Sequence, residues 1–128
     1  MTSVIISNVI EDSAAQVLAR VLADGVAVVQ ADISAISYSV FDHSALGDPV
    51  VGGHDGVALT VADVVFDTLQ TDARWTKDAT GYNFRHAIAG TAFPTGGHRY
   101  RIEYTFTPIS GNAWIVAVDV DATAVMGS

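Results

Sequence analysis

From residue 82 to residue 121 apolar and polar side chains alternate with few breaks, a pattern that extended backbone converts into one apolar and one polar face. Tyr82, Phe84, His86 and Ile88 alternate with Asn83, Arg85 and Ala87. Tyr100, Ile102, Tyr104 and Phe106 alternate with Arg99, Arg101, Glu103 and Thr105, and Trp114, Val116, Val118 and Val120 with Ile115, Ala117, Asp119 and Asp121. Turn residues separate these runs: Phe93-Pro94 with Gly96-Gly97, then Pro108, Gly111 and Asn112. The pattern predicts three strands joined as an antiparallel meander, whose apolar face must be covered. A second sheet drawn from the N-terminal strands is the economical cover, giving an all-β sandwich of about seven or eight strands.

The rest of the chain supplies those strands. Ile36, Tyr38 and Val40 alternate with Ser37, Ser39 and Phe41, predicting a half-buried strand over Ile33 to Asp42. Residues 43 to 56 hold Gly47, Pro49, Gly52, Gly53 and Gly56 and read as a turn-rich connection. A short strand follows over Val57 to Val61. From Ala62 to Leu69 the period changes, with Val65, Phe66 and Leu69 at helical spacing, which predicts one short helix across an end of the sheets. Residues 14 to 29 admit two readings. Val17, Leu18, Val21 and Leu22 fit a helix ending at Gly25, whereas Asp24-Gly25 before Val26 to Val29 reads as a hairpin turn. Strand is favoured because the rest of the chain is strongly β.

Residues 1 to 13 are expected to form an N-terminal arm and residues 14 to 128 the sandwich. The arm carries Val4, Ile5, Ile6, Val9 and Ile10, set apart by Glu11-Asp12-Ser13. Five branched apolar side chains in a terminus belong either to the domain's own sheet or to another chain. The expectation here is an assembly interface on another chain, because a β-arm adds readily to an exposed edge.

Charge narrows the partners. The 128 residues hold 6 Lys+Arg against 14 Asp+Glu, a formal net charge of −8. Lys77 is the single lysine, and the nearest approach to a basic cluster is Arg99 with Arg101. Phosphate backbones and anionic headgroups select clustered cations, so neither nucleic acid nor membrane is expected as a partner. The scattered acids serve solubility. With no cysteine, disulfides, thiolate metal sites and cysteine catalysis are all excluded. No basic flank followed by an apolar stretch marks a signal peptide. The longest apolar runs, such as Ala113 to Val118, fall far short of the ~20 residues that span a bilayer.

Candidate chemistry is sparse. His43, His54, His86 and His98 lack the paired spacing of a zinc motif and read as scattered surface histidines. Asp119 and Asp121 share a strand face, but the glycine-containing acidic loop of calcium modules is missing. Gly52-Gly53-His54-Asp55-Gly56 lacks the Lys-Ser/Thr ending of a phosphate loop. There is no Gly-x-Ser-x-Gly elbow. No catalytic residue, metal or cofactor is therefore expected. Trp75, Tyr82, Phe84, Tyr100, Tyr104, Phe106 and Trp114 could line a sugar-binding face, although their alternate positions fit core packing better. Trp75 lies outside the alternation, beside Arg74 and Lys77, where it caps the core or sits at an interface.

Three groups of residues carry a resemblance. They are the run Val61 to Gln70 with Asp72 and Trp75, then Asp78, Gly81, Tyr82, Asn83 and Phe84, and then Phe93-Pro94, Gly96-Gly97 and Tyr100 to Tyr104 with Thr107-Pro108. Over roughly residues 15 to 121 the chain resembles small virion proteins of tailed phages. Ile33 to Asp42 with Val57 to Leu69 is similar to the N-terminal sandwich domain of phage baseplate upper proteins. The resemblance implies an immunoglobulin-like antiparallel β-sandwich with a structural, non-enzymatic job. A short acidic sandwich with an N-terminal arm suits a capsid decoration (cement) protein on the outer surface of a virion assembled in the host cytoplasm, bound to the major capsid protein. Neck, tail or baseplate adaptor is the alternative, with other virion proteins as partners. A carbohydrate-binding module is the alternative from another class. A homo-oligomer is expected, a trimer being natural at local threefold sites of a capsid.

Overall fold

In the computed structural model, residues 3–6, 9–10, 15–23 and 25–123 are described. Strands β1 (Ser3–Ile6), β3 (Ala15–Arg20), β9 (Tyr82–Ile88) and β8 (Val65–Gln70) form one sheet, in the order β1-β3-β9-β8. The second sheet has the order β2-β11-β10-β6-β7, from β2 (Val9–Ile10), β6 (Ile33–Asp42), β7 (Val57–Leu59), β10 (Arg99–Pro108) and β11 (Trp114–Thr123). A small hairpin of β4 (Leu22–Ala23) and β5 (Val26–Ala27) lies between β3 and β6. Residues 15–20 thus take the strand reading, and Gly25, at φ +78, supplies the turn of the hairpin.

The two orders are A-B-E-D and G-F-C-C′ of an immunoglobulin sandwich, with the N-terminal segment split so that β1 lies in one sheet and β2 in the other. Side chains from both inner faces make one core. Val17, Phe84 and Ile88 pack with Ile36, Tyr38, Val40, Ile102, Tyr104 and Val118, all buried. A second diagnostic feature is Tyr100. Its ring is fully buried, while its hydroxyl accepts from the Thr95 amide at 2.8 Å and donates to the Thr95 carbonyl at 3.3 Å. This is the tyrosine corner at the entry to strand F. Two residues on, buried Ile102 fills with an aliphatic side chain the place where antibody domains carry a disulfide cysteine.

Three expectations need correction. The C-terminal strands are not a meander. β10 and β11 pair in register from Arg99↔Asp121 to Phe106↔Trp114, but β9 pairs with β3 and β8 in the opposite sheet. The stretch from residue 89 to 98 is too long for a tight hairpin, which uses about 2–5 residues, and it carries the chain across the sandwich instead. Each sheet consequently mixes N- and C-terminal strands. The helix expected over Ala62 to Leu69 is one turn, Val61–Val64, after which Val65–Gln70 is strand β8. Finally, the arm pairs within its own domain. Val4 lies opposite Ala19 in an antiparallel pair, and Val9 and Ile10 run parallel to Ala122 and Thr123. Backbone bonding that was expected to reach another chain is made inside this one, on both sheets, so Ser3–Ile6 and Val9–Ile10 belong to the sandwich.

Candidate functional site

Two connections converge at one end of the sandwich, residues 21–32 between β3 and β6 and residues 109–113 between β10 and β11. The first is held rigidly. Asn83, 2% exposed, accepts from the Val21 amide at 2.8 Å and donates to the carbonyls of Val21 (3.0 Å) and Val28 (2.9 Å). One buried amide side chain therefore clamps both feet of the β4–β5 hairpin to β9. Val28 N–H also closes onto the Val21 carbonyl at 3.1 Å, and Gln30 donates to Asp67 and to the Val65 carbonyl. The second connection is tied to the first, because the Ile109 amide donates to the Asp32 carbonyl at 3.0 Å and Ser34 Oγ to the Thr107 carbonyl at 3.0 Å. Between them lies a cleft of about 500 Å³. Trp114, Val28, Pro108 and Ile109 are its apolar lining, and Asp32, Ser110 and Asn112 its polar groups. Trp114 stacks flat on buried Phe106, with 6° between the planes and 5.6 Å between centroids. Its volume falls in the range of small-molecule sites, and its lining mixes apolar and polar groups.

The outer face of the five-stranded sheet is the second surface. Register places Ile115, Thr105, Ser37 and Ala58 in one row across β11, β10, β6 and β7, with Ala117, Glu103 and Ser39 in the next. Ile115 is 61% exposed. Beyond these rows Arg101 pairs with Asp119 at 3.2 Å and Arg99 with Asp121 at 2.8 Å. Phe41, His43, Asp48, Arg101 and Glu103 enclose a shallow recess of about 250 Å³. One row of this face carries Ile115 and small side chains, the next sets Glu103 between Ala117 and Ser39, and beyond them lies a ladder of paired charges.

The third feature is internal. Tyr38 O–H and His54 Nδ1 are 2.8 Å apart, His54 Nε2 and Thr91 Oγ1 2.9 Å, and His86 Nδ1 and Tyr104 O–H 2.8 Å. Tyr38 packs against both imidazoles, at 5.8 Å from His54 and 4.9 Å from His86. His54 and His86 are buried, which corrects the expectation of scattered surface histidines. Burial, with the nearby His54 adding to it, pushes His86 down to about 4, and burial also lowers His54. Both imidazoles are neutral at pH 7 and complete a hydrogen-bonded polar layer inside the core. Because the unfolded chain takes up this proton near 6.5 and the folded chain near 4, the stability from a neutral His86 is complete above pH 6.5 and lost as pH falls towards 4. Urea titrations should show a loss of up to about 3 kcal/mol across that window. The step lies above the range in which Asp78, held well below ordinary carboxylates by Arg20 and Trp75, titrates. Stability unchanged between pH 7 and 4.5 would rule it out.

No protein-family model, curated protein or solved structure matches the chain.

Other residues singled out by sequence fall as follows. Trp75 is 6% exposed and belongs to a second cluster with Leu18 and Tyr82, flanked by Phe66. Leu18 sits between inward-facing Val17 and Ala19, so this cluster lies on the outer face of the four-stranded sheet. The 71–81 loop covers it. Trp75 Nε1 donates to Asp78 at 2.8 Å, Asp78 pairs with Arg20 at 2.8 Å, and the Arg20 guanidinium lies over the indole. Trp75 caps its own domain, which replaces the interface reading. Tyr82 is buried too, but in this outer cluster, where its hydroxyl donates to Asp72 at 2.6 Å. His43 pairs with Asp48 and His98 with Asp42. Among the described residues no group of three or more His, Asp or Glu is placed to hold a metal ion. For the arm residues Val4, Ile5, Ile6, Val9 and Ile10, only backbone pairing is described. Sequence reading placed Asn83 on the polar face of its strand and missed its role as a buried clamp. A polar residue between two aromatics in a strand was the available signal, and it reads equally as a solvent-facing position.

Proposed function

We propose that the chain is a non-catalytic structural protein of a tailed-phage virion, a decoration protein that lies on the outer head surface against the major capsid protein. The observation that carries the reading is the outer face of the five-stranded sheet. Exposed Ile115 forms a row with Thr105, Ser37 and Ala58, with Glu103 in the next row and the Arg101–Asp119 and Arg99–Asp121 pairs beyond it. Ile115 at one end of the row offers an apolar anchor, and the small side chains beside it let a second surface approach closely. The acidic net charge suits an outer surface away from packaged DNA. The resemblance of roughly residues 15 to 121 to small virion proteins supplies the setting.

The test is co-sedimentation with emptied heads of the particle whose genome encodes the chain. Stoichiometric binding is expected. Thr105→Arg, which places a long charged side chain in this row, should lower occupancy at least about tenfold while leaving the melting temperature within a few degrees. Binding to tails alone would replace the head by the adaptor role. Wild-type attachment by Thr105→Arg would show that this face is not the contact.

A further inference from the structure

We propose that the cleft between the 21–32 and 109–113 connections is a binding site for a neutral carbohydrate, which lays a pyranose ring against Trp114. It lies at the loop end of the sandwich and does not depend on the docking face described above.

The lining chooses among ligand classes. Among the described residues Asp32 is the single charged side chain lining the cleft, and none of them that lines it is a lysine or arginine. Phosphates, nucleotides and carboxylates would meet a carboxylate with no compensating cation. A wholly apolar ligand would strand the polar groups beside Trp114 without hydrogen bonds. A sugar meets both demands, because its axial C–H face is apolar and its rim is a ring of hydroxyls. Those hydroxyls need donors and acceptors together, and the cleft has both. Asp32 Oδ2 accepts from the Val29 amide at 3.2 Å, while Oδ1 has no hydrogen bond among the described residues. Asn112 contributes an amide and Ser110 a hydroxyl, and both residues are exposed.

Trp114 provides the platform. Phe106 holds one side of the indole, and the ring is half-buried rather than sealed into the core. Its Nε1–H makes no hydrogen bond among the described residues, unlike that of Trp75, which donates to Asp78. A tryptophan with a supported ring, an available N–H and a carboxylate and amide in the same cleft can stack a sugar and grip its hydroxyls. The clamp of Asn83 on the neighbouring hairpin keeps the cleft formed in advance, so little ordering is lost on binding. At about 500 Å³ the cleft admits a short saccharide.

The probes are cellotriose, tri-N-acetylchitotriose and choline, titrated separately into the full chain while the indole N–H resonances are followed by NMR. Trp75→Phe and Trp114→Phe assign the two indole signals. The expected result is a saturable shift of the Trp114 signal by at least one trisaccharide, with a dissociation constant in the range of about 0.1–10 mM and little movement at Trp75. Asp32→Asn and Asn112→Ala, both at exposed positions, should each weaken binding about tenfold or more without shifting the melting temperature. They keep the test decisive should Trp114→Phe lose stability. Saturable binding of choline but of neither sugar would make the cleft a cation site and overturn the proposal. So would the absence of any shift at about 20 mM sugar, or sugar binding that both polar variants leave unchanged.

Discussion

Tyr104→Ala should cost about 4–8 kcal/mol, enough to leave a domain of this size largely unfolded at 37 °C. The ring is fully buried at the centre of β10, with its edge or face against Phe84 at 5.0 Å and against Tyr38 at 6.2 Å. Truncation opens a cavity between the sheets, which accounts for about 3–5 kcal/mol. It also removes the hydroxyl that His86 Nδ1 bonds at 2.8 Å, stranding a buried polar atom at a further cost of about 1–3 kcal/mol. Tyr104→Phe separates the two contributions, because it keeps the ring and loses the bond. The measurement is a urea titration of the three proteins at pH 7. A loss below 1 kcal/mol for the alanine variant would mean that the core is not packed around this ring.

Gly81→Val should lower stability by about 3–5 kcal/mol, roughly 10–20 °C in melting temperature. Gly81 has φ +103, where L side chains are strained, and a Cβ there would lie 2.3 Å from the Gln70 carbonyl oxygen and 3.0 Å from Thr71 Cγ2. That oxygen is backbone, so relief requires the 71–81 loop to shift. The loop is fastened at the same place. Gly81 N–H donates to Asp78 at 3.2 Å, and the Gly81 carbonyl accepts from Arg20 at 3.2 Å. Displacing it loosens the cover that Trp75 makes over Leu18 and Tyr82. Gly53→Ala is the control, since Gly53 also has positive φ, at +82, but nothing within 4 Å of an added Cβ. It should cost only about 1–2 kcal/mol. Equal melting temperatures for the valine variant and the native chain would contradict the close approach.

The alternation from 82 to 121, together with that of Ile33 to Asp42, determined the long strands and most of the inward face, because side-chain direction in a strand follows from position alone. The composition determined that the core must be closed without disulfides. Several other features were decided only when distant segments met. A strand's pattern says which side is apolar but not which sheet it joins, so β9 could not be separated from β10 until pairing with β3 placed it opposite. Val65, Phe66 and Leu69 satisfy a helical period and a strand equally, and bonding to β9 selected the strand. Tyr82 lies on the opposite face from Phe84, in the stretch where the β8–β9 register also shifts, an irregularity that no local pattern encodes. His54 and His86 became core groups because Tyr38, Thr91 and Tyr104, remote in sequence, bring them hydrogen-bond partners. The loop-end cleft depends on the same kind of meeting. Its parts come from residues 23–32 and 108–114, and buried Asn83 of a third strand holds one wall against the sheet. Periodicity records the direction of each side chain along its own strand, whereas a site is made by distances between strands, and those are set only by the packed core.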